Sequence, residues 1–266
     1  MISLNHIGNL GRLANQMFQY ASLKGIARNR GYGFIIPPRY VFGQHDDNVK
    51  NSDVILYDVF EKIEKNNDCA LQDANTFWER KHEFDEELFI NCPDNVDLVG
   101  YFQTEKYFKH IEDEIREDFT FNEELYSNCK SFIKENFDSE VISLHIRRGD
   151  YTANPNHPVQ PISYYQEALS KLPELPVIVF SDDESWCKEQ DLFKGDKFLI
   201  SEENTTDADL CLMSLCDYHI IANSSFSWWG AWLAKSKKVI APKNWFGGEC
   251  YNKSTVDYPF GDFEFL

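Results

Sequence analysis

The tightest constraint on the fold lies in the second half of the chain, where five short apolar runs alternate with segments of helical length. The runs occupy residues 141–146, 177–180, 197–200, 219–222 and 238–241. Between them, residues 163–172, 183–193, 207–216 and 225–234 read as helices. Strands that are almost continuously apolar and separated by helices predict a parallel sheet covered on both faces. That is a doubly wound, Rossmann-like half, and such sheets bind ligands at the carboxyl ends of their strands.

The first half opens in the same style. Residues 2–6 are strand-like, and a loop containing Gly8 and Gly11 follows. Leu13, Met17 and Ala21 share one face of a helix over residues 13–30. Gly31 and Gly33 end it, and residues 34–36 resemble the next strand. Further on, residues 96–102 read as a strand, 105–119 as a charged helix and 121–138 as a second helix with a connector. Residues 41–95 are polar with short apolar islands and show no clear period. The expectation is therefore an α/β chain of two domains, 1–135 and 136–266, with mostly parallel sheets.

Composition narrows the partners. A formal net charge of −18 repels polyanions, which argues against nucleic acid. An anionic small molecule would need a local cluster of positive groups, and Arg147-Arg148 is the conspicuous one. Aromatic residues make up 15% of the chain, which suits a protein that stacks sugars and equally suits an aromatic-rich core. The seven cysteines include no Cys-x-x-Cys pair, so neither a disulfide framework nor a zinc site is expected. No apolar run approaches a membrane span, and no signal-peptide pattern is evident. A cytoplasmic location follows as the expectation, compatible with peripheral contact with a membrane.

Three segments carry chemistry. His145-Ile146-Arg147-Arg148-Gly149-Asp150-Tyr151 ends the first strand of the second half. Arginine offers a planar fork of donors that matches phosphate oxygens. One guanidinium would hold a diphosphate and the other would orient the turn through a carboxylate. A purely structural salt bridge, with Asp150 for instance, fits the spacing as well. Phe180-Ser181-Asp182-Asp183 follows the next strand. Its carboxylates could accept from a nucleobase or a ribose, or simply cap the following helix. The third segment, residues 223–232, opens a helix with Asn223-Ser224-Ser225-Phe226-Ser227. Free amides there make an anion site. Trp228, Trp229 and Trp232 read as core, and Gly230 as a close helix–sheet contact. Asp207-Ala208-Asp209 fits a metal-binding pattern, yet acidic residues are ordinary at a helix start, so no metal is expected.

Together with Gly11-Arg12-Leu13-Ala14-Asn15-Gln16-Met17-Phe18-Gln19-Tyr20-Ala21, these segments resemble the α-1,2-fucosyltransferase family (glycosyltransferase family 11). The four blocks stand in family order across nearly the whole chain. Ala14 stands where that family usually has glycine. The resemblance implies a GT-B type fold of two facing Rossmann-like domains, with the acceptor on the first and GDP-fucose on the second. It implies inverting, metal-independent transfer of fucose to the 2-hydroxyl of a terminal galactose, with no cofactor. By position, Arg148 with Arg147 would hold the diphosphate. His145 and Asp182 would place the guanosine, and Ser225, Phe226 and Ser227 would support the phosphates. Asn15 and Gln16 would lie near fucose or acceptor. Asp150 is the candidate general base. A fucosyltransferase of α-1,6 linkage, or a protein that binds nucleotide sugar or glycan without transfer, are the alternatives.

Overall fold

The computed structural model describes residues 1–37, 54–64, 70–202 and 204–266. They divide into two units, residues 1–122 with 254–258 and residues 123–253 with 259–266.

The first unit runs β1 (Ile2–Ser3), α1 (Leu13–Arg30), β2 (Phe34–Ile35), α2 (Leu56–Val59), β3 (Asn75–Trp78), α3 (Glu86–Asn91), β4 (Val96–Val99) and α4 (Glu112–Asp118). Its strands pair in the order β2-β1-β4-β3, all parallel. Helix α1 covers the expected residues. Arg28 and Arg30 in its last turn complement the helix dipole. Gly31, at φ 69°, turns the chain out in the left-handed conformation that favours glycine. The helix expected over 105–119 is broken. Two tight single turns, Glu105–Tyr107 and Lys109–Ile111, precede α4. The cause is packing: adjacent Tyr107 and Phe108 are both buried, the first against Phe84 and the second against Phe18. The expected strand 96–102 stops at Val99. Strand β3 and helix α3 lie within the stretch that shows no sequence period.

The second unit runs α5 (Glu123–Asn136), β5 (Ile142–Ile146), α6 (Ile162–Ser170), β6 (Val177–Ser181), α7 (Glu184–Glu189), β7 (Phe198–Ile200), α8 (Thr206–Ser214), β8 (Tyr218–Ile220), α9 (Ser225–Ala234), β9 (Lys238–Ala241) and β10 (Phe263–Phe265). The expected boundary at 135/136 falls at the far end of α5. That helix goes with the second unit, where Cys129 packs on α8 with its Sγ 3.8 Å from the Ala208 carbonyl. The strand order is β10-β9-β8-β5-β6-β7, entirely parallel. Renumbered within the unit this is 3-2-1-4-5-6 read from the other edge, the doubly wound order whose direction reverses between β5 and β8.

The core of this unit is built from Ile142, Leu144 and Ile146 of β5, Val177 and Val179 of β6, and Tyr164, Tyr165 and Ala168 of α6. The three tryptophans of α9 are core as expected, none more than 1% exposed. Gly230, however, meets a helix rather than the sheet. A Cβ there would lie 2.7 Å from the Cβ of Met213 on α8. Among the described residues no helix is long and apolar enough to cross a membrane, and the described cysteines are free thiols.

Candidate functional site

The switch point between β5 and β8 is flanked by two of the three chemical segments. β5 delivers His145 to Asp150 at its carboxyl end, and the chain leaving β8 opens α9 at Ser225. β6, on the other side of β5, delivers Asp182 and Asp183.

The two guanidiniums take different positions. Arg147 is held on both sides by carboxylates. Its Nη2 bonds to Asp150 Oδ1, and its Nη1 lies 3.1 Å from Asp182 Oδ2. It also lies over the ring of Tyr151, 5.3 Å from the centroid. Arg148 donates through Nε to Asp183 Oδ2 at 3.0 Å, and its guanidinium covers the Trp186 ring at 4.1 Å from the centroid. The face and the inner nitrogen are thus fixed. The two terminal nitrogens of Arg148 bond to no described residue. A guanidinium oriented by one partner and open at its fork is arranged to take an oxyanion.

Asp182 organises the turn. It accepts from the Arg148 amide at 2.8 Å as well as pairing with Arg147. Gly149 makes this possible, because a Cβ there would lie 2.4 Å from Asp182 Oδ2. Asp183 caps α7 by accepting from the Trp186 amide at 3.1 Å, and this contact to Arg148 holds its carboxyl below the usual range. Of the two readings of this segment in the sequence, a nucleobase or ribose contact and helix capping, the structure shows the capping, and the same Asp183 also orients Arg148.

His145 is buried, and its Nδ1 is hydrogen-bonded to Ser227 Oγ at 2.9 Å. Desolvation, with the nearby Arg147 charge adding to it, pushes its pKa down to about 3. The ring is therefore neutral at any working pH, which removes it as a source of positive charge. The Phe226 ring lies 5.7 Å from it. Ser227 is turned inward to His145, whereas Ser225 and Phe226 are half-buried at the helix start. Ser224 is the cap, accepting from the Phe226 amide at 3.3 Å. Asn223 is buried and fully engaged, with Pro158 and Trp245 carbonyls and the Gln160 amide as partners.

In the first unit, Asn15 and Gln16 lie in the first turn of α1. Asn15 accepts from Gln103 at 2.7 Å, and buried Gln16 accepts from the Ile55 amide at 3.0 Å. Ala14 is buried in the same turn.

Asp209 is half-buried beside Ser201, whose hydroxyl donates to it at 2.7 Å, and desolvation raises its pKa to about 6. Among the described residues no group of three or more His, Cys, Asp or Glu side chains is placed to hold a metal ion. Sequence reasoning missed Trp186 as the floor under Arg148. Its only signal was an aromatic three residues after a capping aspartate.

Comparison with known proteins gives the family and the fold. A sequence model described as glycosyl transferase family 11 matches residues 1–258. The chain is 33% identical to an α-1,2-colitosyltransferase of Escherichia coli, over 91% of this chain and 92% of that one. It is 37% identical to the O-antigen biosynthesis glycosyltransferase WbnK of Escherichia coli over 64% of this chain, a match spanning 63% of WbnK. It is 26% identical to the galactoside α-(1,2)-fucosyltransferase 2 of Bos taurus, over 88% of this chain and 70% of that one. Among solved structures, NodZ α-1,6-fucosyltransferase soaked with GDP-fucose aligns with a TM-score of 0.58 at 15% identity, covering 93% of this chain and 97% of that one. POFUT1 in complex with GDP aligns with a TM-score of 0.55 at 11% identity, covering 99% and 97%. At such identities these likenesses show the fold, an α/β fold of the GT-B type.

Proposed function

The chain belongs to glycosyl transferase family 11, and from that premise we propose that it moves L-fucose from GDP-β-L-fucose to the 2-hydroxyl of a terminal galactoside. The linkage formed is α-1,2, the anomeric carbon inverts, and no metal takes part. The second unit holds the donor and the first the acceptor.

The observation that carries this reading is the open fork of Arg148 at the carboxyl end of β5. As the fucose–phosphate bond stretches, positive charge grows on the sugar and negative charge on the departing diphosphate. Fixed donors aimed at that oxyanion stabilise the transition state more than the ground state. Arg148, oriented by Asp183 and Trp186, supplies the charge, and the start of α9 at Ser225 presents the positive end of its dipole. Arg147 keeps the turn in shape through Asp150 and Asp182. His145, neutral and tied to Ser227, joins β5 to α9 beneath the donor. With Asp150 engaged by Arg147, we assign proton removal from the acceptor only a minor share of the barrier.

The test is incubation with GDP-fucose and lactose in the presence and absence of a chelator. The expected result is release of GDP and an α-1,2-fucosylated product in both. An α-1,6 product, or activity abolished by the chelator and restored by a divalent ion, contradicts the reading. Arg148→Ala should lower kcat by about a hundredfold or more, on the order of 3 kcal/mol, with the fold intact. Near-normal turnover removes Arg148 from the assignment. The colitosyl relative motivates a second reading, in which the donor sugar is colitose, which lacks the 3-hydroxyl of fucose. Competition between the two GDP-sugars at equal concentration separates them through kcat/KM.

A further inference from the structure

Strain and exposure meet at the carboxyl end of the first unit's sheet. β4 ends at Val99, and Phe102 then sits at φ 51°, a left-handed conformation. For a residue other than glycine this costs about 1 kcal/mol or more, and it persists only where the surroundings enforce it. Here they do. The Glu79 carboxylate accepts from the amides of Tyr101 and Phe102, both at 2.9 Å. Gln19 donates to the Gly100 carbonyl at 2.9 Å and Ser22 to the Phe102 carbonyl at 3.0 Å. A Cβ on Gly100 would lie 2.4 Å from that of Glu79, so the turn closes directly onto the residue that follows β3.

This clamped turn presents large rings to water. Trp78, the last residue of β3 and the partner of Val99 in register, is 66% exposed, and Tyr101 is 40% exposed. Among the described residues, Trp78 makes no ring contact and its indole N–H makes no hydrogen bond. Packing gains little from the Trp78 ring, and β3 is an edge strand, where charge is the usual protection. Two residues after Tyr101, Gln103 gives one side-chain N–H to Asn15 Oδ1, and its side-chain carbonyl bonds to no described residue.

We infer that Trp78 and Tyr101, together with the side-chain amide of Gln103, form the acceptor-sugar subsite. A pyranose has an apolar face of C–H groups and a rim of hydroxyls. Aromatic faces carry partial negative charge that attracts the C–H groups. Amides offer donor and acceptor together to the hydroxyls. The carboxyl end of a parallel sheet is where such folds place ligands. Glu79 is a positioning residue that sets the angle of Tyr101. The inference rests on the glycosyltransferase reading, through which the acceptor is a sugar.

The test is acceptor kinetics with lactose at saturating GDP-fucose, alongside GDP affinity by calorimetry. Trp78→Ala and Tyr101→Ala should each raise the lactose KM by about tenfold, while GDP affinity stays within about twofold. Tyr101→Phe should keep the KM, because the ring rather than the hydroxyl binds. Glu79→Ala should raise the lactose KM without changing GDP affinity. A lactose KM unchanged in both ring variants overturns the inference. If the parent transfers nothing to lactose, the proposed function fails on its own test. Saturation-transfer NMR with methyl β-galactoside then decides the subsite. Signal with the parent that is lost in Trp78→Ala supports it, and equal signal, or none with the parent, overturns it.

Discussion

Asp183 does two jobs with one carboxylate, and substitutions can part them. Oδ1 caps α7 and Oδ2 orients Arg148. Asparagine caps nearly as well as aspartate, and alanine does not, at a cost of about 1 kcal/mol. Asp183→Asn should therefore hold its urea midpoint and still lose turnover, because the guanidinium is no longer steered by charge. Asp183→Ala should lose both. If Asp183→Asn keeps full turnover, Trp186 alone suffices to orient Arg148. The residues of the second-half site were legible because the chain groups them in contiguous segments at strand ends. Their mutual pairings were not. Arg148 meets Trp186, and Glu79 meets Tyr101, across stretches that no local spacing connects.

Elements differ in how openly the sequence declares them, and the reason is burial. β5, β6 and β9 are covered on both faces, so their residues are mostly apolar, and α9 and β9 fall where the pattern puts them. β3 is an edge strand with three of four residues exposed, and it leaves no apolar period to detect. β10 is three residues long and alternates Phe263-Glu264-Phe265 within a polar tail. The helix expected over 105–119 gave way because two adjacent aromatics each found a separate place in the core. At this scale the α8–α9 contact offers a test. Gly230→Ala would drive a methyl into Met213, and overpacking of this kind costs about 1–3 kcal/mol. Urea unfolding should show that loss as a lower midpoint, and an unchanged midpoint would mean that α8 and α9 part without cost.

Across the whole molecule, two buried histidines make stability sensitive to acid. His219 donates through Nε2 to the Met213 carbonyl at 2.9 Å, which leaves Nδ1 to accept from Ser236. Desolvation pushes its pKa down to about 4, and that of His145 to about 3. The unfolded chain protonates histidine near 6.5, so between about 6.5 and 4 it holds more protons than the folded chain. Stability from these groups is present above 6.5 and falls as pH drops, by up to about 1.4 kcal/mol per unit for each histidine. Asp209, raised to about 6 by burial, acts in the opposite sense. Comparing His219→Gln with the parent isolates one group. The penalty of the substitution should be largest at pH 7 and shrink by pH 4.5, and a constant penalty would mean that the ring is not held neutral. The chain also crosses between its units three times, at 122/123, 253/254 and 258/259. Residues 254–258 bring Asp257 and Tyr258 to Phe84, Lys106 and His82 of the first unit. A fragment of residues 1–122 should accordingly show a lower thermal midpoint than the first unit has within the full chain, or no cooperative transition.

That late return sets an order on synthesis. Residues 1–122 precede the second unit in the chain, yet the Asp257 carboxylate that seats Phe84 and Lys106 follows every strand of the six-stranded sheet but β10. During synthesis the first unit must therefore wait, partly assembled, until residues 254–258 have emerged.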